Sequence, residues 1–218
     1  MKKLSRRTVL KSAAAIGAFA ATEGVFAPAI AENKPIKIGV LAPRSGIAAA
    51  PGENGIRATE WAVGRYNAKG GIAGRKVELV IEEESNPKNT IERFGKLVQQ
   101  DKVDCVTGIV SSGVGLALGP AVEEARALTI YWDGTTQNGV DETVPNPKYL
   151  FRSTDNECEA MMASLLVIKH WKGKFKKVAG INPDYSYGRN NMAAFIAVLK
   201  RFGVEHEVVT EQWPKVGT

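Results

Sequence analysis

Two short hydroxyl-rich segments hold most of the chemistry this sequence offers. Ser111-Ser112-Gly113 lies between an apolar run, Cys105 to Val110, and a segment of helical period from Val114 to Ala127. At such a joint the first backbone N–H groups of the helix lack partners and the helix dipole favours negative charge, so a carboxylate fits there. Asp133-Gly134-Thr135-Thr136 follows the apolar run Leu128 to Trp132 in the same way. Ligands of open α/β sheets bind outside the carboxyl ends of the strands, so both segments are expected to face one crevice. Taken singly, each Ser or Thr also reads as a helix cap or turn residue.

Other chemistries fail on spacing. Gly108-Ile109-Val110-Ser111-Ser112-Gly113 lacks the G-x-S-x-G spacing of a nucleophile elbow. The two histidines fall elsewhere, His170 inside an amphipathic helical segment and His206 in a strand-like run near the chain end, so no base is expected beside Ser112. An enzyme is therefore not expected. Gly113-Val114-Gly115-Leu116-Ala117-Leu118-Gly119 puts its last glycine one residue late for a dinucleotide fingerprint, and it does not follow the first strand. No His/Cys cluster has metal-site spacing and no EF-hand loop is present, so no cofactor and no metal is expected.

The elements that must position these segments alternate along the chain. Ile36 to Leu41, Val77 to Ile81, Cys105 to Val110 and Leu128 to Trp132 read as strands. Between them, Ile56 to Asn67, Asn89 to Gln100 and Val114 to Ala127 read as helices. In the first helix Ile56, Trp61, Ala62, Val63 and Tyr66 are expected on or near one face. Gly70-Gly71, Asn86-Pro87 and Asp133-Gly134 supply the turns. Gln137 to Lys148 is polar and contains Pro145 and Pro147, so an irregular connection is expected before a strand at Tyr149 to Ser153.

A second unit follows: helix Glu157 to Trp171, strand Lys177 to Asn182, helix Arg189 to Phe202, strand Glu205 to Glu211. Strands alternating with amphipathic helices imply parallel sheets covered on both faces. So small a second unit buries little apolar surface, and the natural protein is expected to continue beyond Thr218. Cys105 is expected in a buried strand and Cys158 at a helix start, as two free thiols.

The first residues form a separate block. Lys2, Lys3, Arg6, Arg7 and Lys11 precede the uncharged run Ser12 to Thr22, the layout of a signal peptide. That run is too short for a membrane span, which needs about 20 apolar residues. Ser5-Arg6-Arg7-Thr8-Val9-Leu10-Lys11 resembles a twin-arginine export motif, which implies the Tat machinery as a partner and the periplasm as destination. An ordinary leader with a chance Arg-Arg pair would lead to the same compartment. Ala29-Ile30-Ala31 places cleavage after Ala31, and no Cys follows to carry a lipid. The full chain has a net charge of +6, but residues 32 onward retain 24 basic against 22 acidic residues, or +2. The basic balance is thus largely a property of the leader, and nucleic acid is not an expected partner.

Four stretches in order resemble the branched-chain amino-acid-binding family of periplasmic receptors. They are Ile36 to Gly46 with its Ser45-Gly46 loop, Asn67 to Val77, Ser111-Ser112-Gly113-Val114, and Tyr185-Ser186-Tyr187-Gly188-Arg189. The resemblance covers residues 34 to 213. It implies an α/β, two-lobed periplasmic binding protein fold with doubly wound parallel sheets, the second lobe incomplete: a leader at 1–31, a first lobe at 32–153 and the start of a second at 154–218.

The function implied is capture of a small polar solute by hinge closure, for the membrane subunits of an ABC importer. A periplasmic ligand sensor shares this fold and is the alternative. The resemblance assigns the ligand's polar ends to Ser111, Ser112, Gly134, Thr135 and Thr136. Tyr187 would close over the ligand from the second lobe. Two positions depart from the family pattern: Trp132-Asp133 stands where a small residue and Pro are usual, and Ala50-Pro51 where an aromatic is usual. Trp132 would narrow the site or stack on a planar ligand, and Asp133 would accept from an ammonium or hydroxyl; alternatively Trp132 is core and Asp133 a turn former. The expected ligand is a small amino acid, carboxylate or amide.

Overall fold

The computed structural model describes residues 34–133, 135–153 and 158–215. The leader and Gly134 therefore lie outside the described residues. The described residues from Ile36 onward form one compact unit.

Five parallel strands make the main sheet: β1 (Ile36–Ala42), β2 (Val77–Glu83), β3 (Cys105–Gly108), β4 (Thr129–Tyr131) and β5 (Leu150–Arg152), in the order β2-β1-β3-β4-β5. The chain steps outward from β1 to β2 and then crosses back to β3, so the order reverses between β1 and β3. In open α/β sheets the crevice beyond the carboxyl ends at such a switch point is where ligands bind.

The helices are α1 (Ala49–Ala68), α2 (Pro87–Gln99), α3 (Ser112–Ala125) and the short α4 (Gln137–Thr143). Residues alternate across β1, and the two faces serve two cores. Leu41 packs into the larger cluster with Phe94 and Leu97 of α2, Leu118 and Val122 of α3, and Tyr131 of β4. Val40 and Ala42 point the other way, onto Ile56 of α1. The carboxyl half of β1 is buried throughout, which explains its unbroken apolar run. Each fully buried Leu or Phe contributes roughly 1.5–3 kcal/mol.

α2 begins as its sequence dictates. Asn86 accepts the N–H of Asn89 at 3.0 Å, and Pro87 stands in the first turn where a missing N–H does no harm. The same tolerance corrects one expectation: α1 starts at Ala49 rather than Ile56, because Pro51 falls within its first turn. Trp61 and Tyr66 are also not core-facing. They are 65% and 56% exposed, since Gly52 and Ile56 define the buried stripe and Trp61 lies well round the helix from it. Arg65, one turn on, covers the Trp61 ring at 4.8 Å.

The segment expected to be irregular contains α4, whose Val140 and the following Val144 are both buried one turn apart. The prolines that suggested irregularity fall after the helix. Cys105 is half-buried rather than buried, and its thiol is free.

A second parallel sheet pairs β6 (Lys177–Ile181) with β7 (Glu207–Gln212), flanked by α5 (Cys158–Trp171) and α6 (Ser186–Arg201). α6 buries Met192, Ala194 and Leu199. β7 is exposed along its whole length. Among the described residues, no helix is long and apolar enough to cross a membrane.

Candidate functional site

The crest at the switch point is built from constrained backbone. Gly108 ends β3 at φ 133°, and a Cβ there would lie 1.9 Å from the Leu41 carbonyl oxygen. Ile109 follows at φ 71°, a conformation that β-branched residues avoid. Its N–H donates to the Leu41 carbonyl at 2.8 Å. The chain then turns through Val110 and Ser111 into α3, whose first intrahelical bond runs from Gly115 N–H to the Ser111 carbonyl at 2.9 Å. The N–H groups of Ser112, Gly113 and Val114 precede that bond and constitute the positive end of the helix.

Ser112 sits in the first turn, 2% exposed, and its Oγ accepts the N–H of Thr135 at 3.2 Å. Thr135 is itself 4% exposed and held at φ 62°, a second β-branched residue in the left-handed region beside the crest. Its hydroxyl is buried without a hydrogen-bond partner. Its carbonyl accepts Arg152 Nη1 at 2.7 Å, and Gln137 holds the other end of the same guanidinium. Thr136, also buried, starts α4 by accepting Val140 N–H at 3.0 Å through its carbonyl. Ser112 and Thr135 thus meet directly, with Ser111 and Thr136 next to them along the chain. Gly134 lies outside the described residues.

Trp132 and Asp133 part company. The half-buried Trp132 ring packs against the Val40, Ala42 and Ile56 cluster, and it lies so close to α1 that a Cβ on Gly55 would come within 2.6 Å of it. That is the arrangement of a core residue. Asp133 is exposed. On the side of the second sheet, Tyr187 is 52% exposed and stacks on Tyr185, with centroids 6.0 Å apart. Burial raises the Tyr185 phenol above its ordinary pKa, and the neighbouring Tyr187 and the Asp133 carboxylate add to the effect. Asp184 and Arg189 pair behind this turn, and Arg189 stacks on Trp213 at 3.7 Å.

One residue the sequence reading passed over is central. Glu84, just past β2 and 3% exposed, accepts Val110 N–H at 2.7 Å and Ser111 N–H at 2.8 Å. Burial pushes its carboxyl up to about 7, against the lowering effect of the two N–H donors and with a small push from Asp133. Its signal in the sequence is an acidic run, Glu82-Glu83-Glu84, at the carboxyl end of a strand. Tyr131 is another: buried completely, it donates its hydroxyl to the Gly115 carbonyl at 2.9 Å and braces α3 from below.

This arrangement can grip an anion or a hydrogen-bonding group at the helix start. His170 stands edge-on to Trp171, and His206 lies 2.7 Å from the Val204 carbonyl. Ser112 accepts a hydrogen bond from a backbone amide instead of facing a base. Among the described residues no group of His, Cys, Asp and Glu could hold a metal ion.

The family model for periplasmic binding proteins matches residues 35–218. The chain belongs to the periplasmic binding protein family. A Leu/Ile/Val-binding protein homologue of Brucella melitensis is 33% identical over 190 residues, covering 86% of this chain and 49% of that protein. The branched-chain amino acid transporter substrate-binding protein LivJ of Streptococcus pneumoniae, solved with isoleucine, aligns with a TM-score of 0.70 and 26% identity, over 84% of this chain and 51% of that one. An ABC-transporter solute-binding protein of Rhodopseudomonas palustris, solved with 3,4-dihydroxybenzoic acid, shares the fold at a TM-score of 0.71 and 24% identity, over 84% and 47% of the two chains. The chain spans about half the length of the relatives it matches. These relatives are solute-binding proteins, and the α/β fold expected from the sequence is the fold of the family.

Proposed function

We propose that this chain belongs to a periplasmic solute-binding protein of an ABC importer, which captures a small amino acid or related carboxylate or amide and catalyses nothing. The observation that carries the reading is Thr135. A β-branched residue held at φ 62°, with a buried hydroxyl lacking a partner, stands beside Ser112 at the start of α3. Strain and an orphaned polar group at a sheet switch point are what a site built to receive a ligand retains. The isoleucine complex of the Streptococcus pneumoniae relative supports an amino acid as the ligand class.

In this reading the ligand's carboxylate meets the free N–H groups of α3 with Ser111, Ser112, Gly134, Thr135 and Thr136, while Asp133 accepts from its donor end. Tyr187 closes over it from residues 154–218 as that lobe swings toward residues 32–153. Trp132 supports the wall from the core side. Closure stabilised by ligand contacts to both lobes gives the importer's membrane subunits a form to recognise. Residues 1–31 direct export through the Tat machinery and are removed after Ala31.

Native mass spectrometry of the protein recovered from the periplasm tests this. A mass starting at Glu32, with a small non-covalent adduct lost on activation, is the expected result. An intact leader, or no adduct after isolation and after addition of L-isoleucine, would refute it.

A further inference from the structure

Thr135 is held in the left-handed region from outside its own segment. Its N–H donates to Ser112 Oγ at 3.2 Å and its carbonyl accepts Arg152 Nη1 at 2.7 Å, so the chain is anchored on both sides of its Cα, where φ is 62°. The methyl group is fixed as well. A Cβ on Gly115 of α3 would lie 2.2 Å from Thr135 Cγ2, so the methyl fills the space that the glycine leaves. With amide, carbonyl and methyl all placed, the polar group left without a partner is the buried hydroxyl.

Of the two anchors, Arg152 is delivered by the sheet. It is the last residue of β5, in register with Tyr131 at the end of β4, and Ser153 N–H closes that pairing on the Tyr131 carbonyl at 3.0 Å. One Nη takes the Thr135 carbonyl and the other takes Gln137 Oε1, at the start of α4. Gln137 in turn donates to Asp141, one turn on, at 2.8 Å. Both acceptors of the guanidinium are neutral oxygens, and among the described residues no carboxylate is ion-paired with it. A planar fork that spans two acceptors fixes their relative geometry, which a flexible point charge does not. A β-branched residue gains by leaving φ > 0, so Thr135 stays there only while its surroundings hold it.

We infer that Arg152 is a positioning residue: anchored by Gln137, it holds the Thr135 carbonyl so that Thr135 keeps its left-handed backbone and presents its unpartnered hydroxyl in one direction. That this hydroxyl meets a solute rests on the function proposed above; the hold on Thr135 does not. The same guanidinium joins the loop to the strand from which the chain passes to the second sheet.

Nuclear magnetic resonance on the whole chain, without solute, decides this. In the wild type the two Nη groups of Arg152 should give separate proton signals, because a guanidinium bonded at both ends does not rotate freely. Thr135 should show the strong contact between its own amide and Hα protons that marks a positive φ, as should Ile109 at φ 71°. In Arg152→Met, which has no donors, Thr135 should lose that signature and its amide should exchange roughly 10- to 100-fold faster. Ile109, whose N–H is held by the Leu41 carbonyl, should keep its signature, and Thr129 N–H, bonded to the Tyr149 carbonyl, should keep its protection. Retention of both signature and protection at Thr135 in Arg152→Met overturns the proposal, as does an equal loss at Thr135, Ile109 and Thr129, the mark of general destabilisation. Averaged Nη signals in the wild type overturn it too, whether or not the variant folds. Because no solute enters the experiment, its failure is separable from a failure of the solute-binding reading, which the mass measurement tests.

Discussion

Replacing Ser112 by Ala isolates the link between the two hydroxyl segments. The Ser112 Oγ accepts the Thr135 N–H at 3.2 Å, between residues that are 2% and 4% exposed. At the long end of the normal range the bond itself contributes modestly. The larger effect is the buried amide left without an acceptor, which costs about 1–3 kcal/mol. Thr135, freed from a backbone conformation that itself costs on the order of 1–3 kcal/mol, recovers part of that by relaxing. A net loss of about 2 kcal/mol follows, which is a roughly 30-fold drop in the folding constant. With a urea m-value of about 2 kcal/mol/M, the unfolding midpoint should fall by about 1 M. Ser111→Ala is the internal control. Ser111 caps α3 without a side-chain hydrogen bond, so its loss should change stability by no more than about 0.5 kcal/mol. Equal midpoints for Ser112→Ala and the wild type would refute the reasoning, as would an equally large effect at Ser111.

Three further outcomes are expected. The Glu84 carboxyl is raised to about 7, so its contribution to stability is complete below its ordinary value of 4.5 and is lost as pH rises through 7. Chemical unfolding across that window should show the wild type losing up to about 3 kcal/mol relative to Glu84→Gln; parallel curves would contradict this. Gly55→Val drives its side chain into the Trp132 ring, where even a Cβ comes within 2.6 Å, and should lower stability by about 1–3 kcal/mol in thermal unfolding. Tyr187→Ala removes a half-exposed ring that stacks only on Tyr185, so melting should hardly move. Under the proposed solute-binding role, affinity for the solute that co-purifies with the protein should nonetheless weaken at least roughly 10-fold by calorimetry, as expected for an aromatic closing on a ligand.

The alternation of strands and helices was legible in the sequence because local physics governs it, and the family through the resemblance of four stretches in order. Strand runs such as Ile36–Ala42, the Asn86-Pro87 start of α2 and the serines ahead of α3 are determined by neighbours a few residues away. The same reading singled out Ser112 and Thr135, which the structure brings into contact. It started α1 too late, at Ile56, and missed α4 because Pro145 and Pro147 looked like breaks, although they lie beyond the helix end.

What the sequence determined by itself, then, is the kind of elements and their order. Only the tertiary structure decided which distant groups meet. Glu84 reaches amides 26 and 27 residues away, an encounter created by the crossing from β2 over β1 to β3. Trp132 becomes a support for α1 because Gly55 leaves room for its ring, and Trp61 stays on the surface because the buried stripe of that helix runs elsewhere. Such outcomes depend on strand order and on which helix face is pressed against the sheet, and neither property is carried by contiguous residues.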